Sequence, residues 1–211
     1  MRSRAVPTPY GAGRLDLHTA REATATLVLS HGAGNGVEAR DLTALAAALP
    51  SHGVSVALFE QPWRVAGKAI ASPPATLDVG LGAAVRALRP RTPLVVGGRS
   101  AGARSAARSA TALGAVGCLA LAFPLHPPGR PERSRVAELT GAGVPTLVVQ
   151  GERDPMGRPE EFPEDVDLAV VPAGDHGLKV PARGPLTQQE ALDLVVEVTL
   201  EWLVREVTGN R

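Results

Sequence analysis

The sequence predicts an α/β fold, a doubly wound, mostly parallel sheet of about six to seven strands flanked by helices. Short apolar, β-branched runs alternate with longer Ala/Leu-rich amphipathic stretches along the whole chain. The short runs are near-continuous in apolar residues, as strands covered on both faces are. Strict strand–helix alternation then implies right-handed crossovers between parallel strands.

The predicted strands lie at residues 24–30, 54–59, 94–97, 116–122, 146–150 and 168–171, with an extra edge strand near 14–18. Helical patterns fall between them at about 39–49, 76–88, 101–113, 132–139 and 187–207. With no repeat and no break in composition, residues 1–211 read as one domain, of which 1–12 are expected to be a flexible extension. Two proline-rich loops, 61–74 and 123–131, each follow a predicted strand. They therefore belong at the carboxyl edge of the sheet, where open α/β sheets bind ligands. Neither is long enough for a large lid, so a minimal cap or none, and a shallow pocket, are expected.

Composition narrows the functional classes. Hydrophobic residues make up 44% of the 211 and aromatics only 3%, so the core must be built from Ala, Val and Leu. Lys and Arg (22) nearly balance Asp and Glu (21), which gives no electrostatic reason to expect a nucleic acid or an anionic membrane as partner. The single cysteine, Cys118, sits in an apolar run and reads as a small buried hydrophobe. The basic start Met1-Arg2-Ser3-Arg4 is followed by Pro7 and Pro9 rather than an apolar stretch, so a signal peptide is not expected. No run approaches the roughly 20 apolar residues of a membrane helix. The expectation is a soluble, cytoplasmic protein whose state, monomer or homodimer, is left open.

The strongest local signal is Gly98-Arg99-Ser100-Ala101-Gly102, a G-x-S-x-G between a predicted strand and a predicted helix. A nucleophilic serine must project from a tight turn, and glycines two residues to either side let strand and helix approach. The helix start beneath it favours developing negative charge. An ordinary helix-capping serine in a glycine-rich chain is the plain alternative.

Such a serine needs a base held by an acid. Gln150-Gly151-Glu152-Arg153-Asp154-Pro155 supplies Asp154 after one predicted strand, and Gly174-Asp175-His176-Gly177 supplies His176 after the next. Both lie at the same sheet edge as Ser100. Asp175 adjoins His176, but neighbouring side chains on a loop diverge, so it is the less natural orienter. Glu152 and Asp165 are expected to face solvent, and His18 and His52 read as surface positions. The plain alternative makes Asp154 and His176 mere turn residues.

Ser30-His31-Gly32-Ala33-Gly34 follows the first strong strand. That turn should donate one backbone N–H to an oxyanion hole, from Ala33 or else Gly34, with Ala101 supplying the other. Pocket candidates are His31, which also reads as shaping the turn, and Trp63 as an apolar wall or a core residue. Arg64 reads as an anion contact or a solvated cation. Arg99 could form a basic rim with Arg104 and Arg108, or all three a solvated helix face. His126 could line the pocket or pack among prolines. No metal-ligand cluster is visible and no cofactor is required.

Together His31-Gly32-Ala33-Gly34, Gly98-Arg99-Ser100-Ala101-Gly102, the segment Phe123-Pro124-Leu125-His126-Pro127-Pro128-Gly129, Gly151-Glu152-Arg153-Asp154-Pro155 and Gly174-Asp175-His176 resemble the α/β-hydrolase branch shared by testis-expressed TEX-type proteins, NSL-complex-subunit-type proteins and bacterial hydrolases. More distantly they are similar to dienelactone hydrolases, whose typical nucleophile is a cysteine where this chain has Ser100. The resemblance implies an α/β-hydrolase domain with Ser100, Asp154 and His176 in the triad positions. The expected activity is hydrolysis of an ester or related acyl bond of a small-molecule substrate. A catalytically idle scaffold and an acyltransferase are the rival expectations.

Overall fold

The computed structural model describes residues 2–209. Eight strands form one sheet in the order β1-β2-β4-β3-β5-β6-β7-β8, where β1 is Arg2–Thr8, β2 Gly11–His18, β3 Ala25–Ser30, β4 Val54–Glu60, β5 Leu94–Arg99, β6 Gly117–Leu121, β7 Thr146–Gly151 and β8 Asp167–Val171. β1 and β2 are antiparallel to their neighbours, and every pairing from β4 to β8 is parallel. The helices are α1 Arg40–Ala48, α2 Pro62–Val65, α3 Pro74–Leu88, α4 Ala101–Ser109, α5 Val136–Thr140 and α6 Gln188–Leu203.

The central strands bury both faces, and their residues alternate between two apolar layers as the period of two requires. Leu27, Leu29, Val95, Leu119 and Val149 point to the side of α1 and α6, where Leu42, Leu45, Val195 and Trp202 meet them. Val28, Val96, Cys118, Ala120 and Val148 point to the other side, onto Leu81, Ala84, Ala103, Ala106 and Ala107 of α3 and α4. To this layer α4 contributes only alanines, Ala103, Ala106 and Ala107, which lets it lie close beneath the strand that leads into it.

Residues 2–8, expected to be part of a flexible extension, are instead the edge strand β1; position 1 lies outside the described residues. β1 pairs along its whole length with β2 through the turn at Pro9 and Tyr10. Val6 alone is buried, against the layer of Leu15 and Phe59. One buried residue in seven gives no amphipathic pattern; the strand exists because β2 offers it a row of backbone partners.

The helix expected over 132–139 shortens to α5, because the Arg135 N–H donates to the Leu125 carbonyl and keeps the preceding chain in turns. The stretch expected as helix over 101–113 closes α4 at Ser109 and adds a 3₁₀ turn, Thr111–Leu113, before the left-handed Gly114. α6 begins at a reciprocal cap between Thr187 and Glu190 and ends in a π turn, Val204–Thr208.

The strand order reverses between β3 and β5, since β3 leads through α1 to β4 on one side and β5 leads to β6 on the other. The loops leaving the carboxyl ends of β3 and β5 therefore diverge and open a crevice.

Candidate active site

Ser100 sits at this crevice, between β5 and α4, at φ 53° and ψ −111°. A non-glycine residue there is strained, and the surroundings hold it. Its N–H donates to the Leu121 carbonyl at 2.9 Å. A Cβ on Gly98 or on Gly102 would overlap the Ser30 carbonyl oxygen, so glycine at both positions is what allows β5, α4 and the end of β3 to converge. Gly32 also packs tightly, its Cβ position 3.2 Å from the Ser100 Cβ. The loop after β3 thus runs directly against the serine, with Ala33 exposed beside it. Among the described residues no acceptor takes the N–H of Ala33 or Ala101.

The loop after β8 brings His176 to the same place. Its Nε2 lies 2.9 Å from Ser100 Oγ, and its Nδ1 lies 2.7 Å from Asp154 Oδ2. Asp154 is wholly buried after β7. Its Oδ1 accepts the Met156 N–H at 2.8 Å, and its Oδ2 also accepts from Gln150 Nε2 at 2.9 Å. An acceptor-only carboxylate suits this set of donors and assigns the His176 proton to Nδ1. Nε2 is then left to accept from the serine hydroxyl.

Gly151 lets the loop carrying His176 descend onto β7, since a Cβ there would lie 2.6 Å from the Gly174 carbonyl oxygen. Asp175 does not orient His176; its Oδ1 accepts the N–H groups of Gly177 and Lys179 and shapes the loop. Glu152 is likewise engaged with the Ala173 N–H, and Asp165 is exposed.

Several pocket candidates take other places. His31 is buried: one nitrogen, Nδ1, donates to the Gly32 carbonyl at 2.8 Å, and the other accepts the Gln61 N–H at 3.0 Å. Burial holds its pKa below the usual value. Both nitrogens are committed to the backbone, so it braces the loop after β3 rather than facing a substrate. Trp63 is buried against it, ring centroids 5.5 Å apart, and is a packing residue. Arg64 pairs with Glu38 at 3.3 Å.

Arg99 forms no basic rim. It is buried, its Nε 3.0 Å from Asp41 Oδ2 and its Nη2 donating to the His176 carbonyl at 2.6 Å. Arg104 and Arg108 are not a free cationic face either; they pair with Glu138 of α5 and, for Arg108, with Asp78 of α3. His126 lies in the loop 123–131 with Nδ1 on the Pro127 carbonyl and Nε2 on Glu161 at 2.8 Å. Those two acceptors raise its pKa, the Pro127 carbonyl first, and tie the ring to the wall of the fold.

Two residues of the site escape sequence reasoning. Gln150 closes an apolar run as one more strand residue, and its grip on Asp154 appears only when β7 and its following loop are folded. Asp41 reads as an ordinary acid in the first turn of a helix. A recess of about 320 Å³ opens between the loop after β3, the start of α1 and the loop carrying His176, lined by Asn35, Arg40, Asp41, Arg99, Gly177 and Lys179 among others. Among the described residues, no group of three or more His, Cys, Asp or Glu is placed to hold a metal ion, and no helix is long and apolar enough to cross a membrane.

The fold recurs in solved structures of low sequence identity. An alpha-beta serine hydrolase homologue from Coxiella burnetii aligns with a TM-score of 0.74 at 18% identity, over 93% of this chain and 96% of its own. A serine hydrolase without lid from Xanthomonas campestris aligns at 0.73 and 20% identity, over 100% and 96%. A dienelactone hydrolase from Anabaena variabilis aligns at 0.74 and 17% identity, over 98% and 97%. No curated protein matches the chain. Residues 23–204, from the approach to β3 through α6, match the alpha/beta hydrolase domain family, and the chain belongs to that family.

Proposed function

We propose that this protein is a serine hydrolase that cleaves an ester or related acyl bond of a small molecule through an acyl-enzyme. The observation that carries the proposal is the continuous chain from the strained Ser100 through His176 to the buried Asp154. His176 takes the hydroxyl proton at Nε2 as Ser100 Oγ bonds to the acyl carbon. Asp154 holds the ring and stabilises the imidazolium. The carbonyl oxygen, now negative, turns to the N–H groups of Ala33 and Ala101, each such donor typically worth about 3 kcal/mol in a transition state. Collapse expels the alcohol, which takes the proton from His176. Water then repeats the sequence, with His176 as base, and releases the acid and the free serine.

The solved structural neighbours support the same reading, since they include serine hydrolases, a dienelactone hydrolase and an esterase domain. Membership in the TEX-type and NSL-complex-subunit-type branch is part of the proposal and rests on the segment from Phe123 to Gly129. A cytoplasmic location is part of it too, and suits a lone buried thiol.

The test is labelling by a fluorophosphonate probe together with hydrolysis of short p-nitrophenyl esters. The wild-type chain should do both, and Ser100→Ala neither, with its unfolding midpoint unchanged. Ester hydrolysis persisting in Ser100→Ala would remove Ser100 from the mechanism. A folded wild type inert to the probe would favour an idle scaffold.

A further inference from the structure

We propose that Arg99 and Asp41 are a positioning pair for His176, a buried strut that sets the distance between nucleophile and base; the inference rests on the Ser100–His176–Asp154 reading above. Arg99 is the last residue of β5 and the immediate neighbour of Ser100. Its side chain is 7% exposed and that of Asp41 2%. The guanidinium faces the Asp41 carboxylate at 3.0 Å and donates to the backbone carbonyl of His176 itself at 2.6 Å. One side chain thereby joins the first turn of α1, the end of β5 and the loop after β8.

Packing alone does not call for a charged pair here. Removing two charges from water is expensive, and exchanging a buried pair for apolar side chains of similar volume is often neutral or stabilising.

The base loop, in contrast, needs an anchor. Ala173 and Leu178 bracket His176 at φ 56° and φ 48°, in the left-handed region that local preference disfavours for both residue types. The Asp175 carboxylate tightens the loop internally but gives it no tie to the nucleophile turn. Beyond the two ring contacts of His176, the Arg99 bond ties the base residue to the residue beside the serine. It acts on the main chain, so it places the imidazole without touching the reacting atoms.

The test uses the full chain and two readouts. The first is the rate of fluorophosphonate labelling. The second is the downfield proton NMR resonance of the His176 Nδ1–H on Asp154. In Arg99→Met with Asp41→Leu the charges leave together and the fold should survive, with a thermal midpoint close to that of the wild type. Labelling should nevertheless fall about tenfold or more, as small misplacements of catalytic groups do, and the resonance should broaden or vanish. Arg99→Lys keeps the charge opposite Asp41 but lacks the fork that also reaches His176, and should fall between. A folded double variant that labels within about twofold of wild type, resonance intact, overturns the proposal. Should the double variant unfold, Arg99→Lys decides on the same readouts. A wild type that does not label at all would count against the Ser100 reading, and the resonance would then decide the strut by itself.

Discussion

At Ser100 two requirements collide: a residue with a side chain must occupy a left-handed conformation, and the backbone on either side must pass within contact of β3. Glycines 98 and 102 meet the second requirement, leaving the strain of the first at the serine alone. His31 does comparable work one loop away. Neutral, it donates from Nδ1 and accepts at Nε2; protonated, Nε2 would face the Gln61 N–H donor to donor. Burial lowers its pKa in the folded chain below the ordinary histidine value. The unfolded chain therefore binds this proton more readily, so the stability His31 contributes is present above about pH 6.5 and is lost as pH falls through the lowered folded value. His126, whose pKa is raised, works with the opposite sign. Urea midpoints measured in a His126→Asn background should fall as pH drops below about 6.5, and His31→Gln should flatten that slope. An unchanged slope would show that His31 is not held neutral.

At the level of elements, α6 is set by a contact at its end. α6 follows the base loop, and its reciprocal cap between Thr187 and Glu190 decides where loop gives way to helix. Thr187→Ala should cost about 1 kcal/mol of stability in urea unfolding, the usual cost of losing a side-chain cap. Fluorophosphonate labelling should hold its wild-type rate, because His176 is fixed from the other end of the loop. A loss of labelling without a loss of stability would mean that α6 itself sets the base. α3, α4 and α5 are joined differently, by Arg104 and Arg108 reaching Glu138 and Asp78 across the helix surfaces. These half-buried pairs take up arginines that sequence leaves as a possible rim beside the site.

Across the whole molecule, the sheet separates two apolar layers, and Cys118 lies in the middle of one of them, on β6 between β5 and β7. It is the single cysteine of the chain and wholly buried, and desolvation pushes its thiol up to about 12. Its reaction with a maleimide should therefore require global opening rather than a local fluctuation. In native buffer labelling should be negligible, and in urea its rate should follow the unfolding transition seen by circular dichroism. Rapid labelling in native buffer would show that the small-residue layer under β5 and β6 opens on its own.

The alternation of apolar strands with amphipathic helices is local information, and it suffices for the parallel body of the sheet. The order of serine, acid and histidine along the chain is local too, because each follows its own strand and the fold sends every such strand end to one edge. β1 was not legible, since only Val6 faces the core and the strand is held by backbone partners on β2. The fates of the polar residues around the serine were not legible either. Whether Arg99 meets solvent or Asp41, and whether Gln150 is one more strand residue or the partner of Asp154, depends on which elements lie opposite. Asp41 comes from a chain segment tens of residues before Arg99, whereas Asp154 follows Gln150 by four residues and meets it only because the loop after β7 turns back; neither pair carries a periodicity that marks it. The sequence by itself determined the parallel sheet and the order in which Ser100, Asp154 and His176 follow their strands; the tertiary structure alone decided which polar groups, Arg99 and Asp41 among them, are buried against one another there, because those partners meet only once the elements have packed.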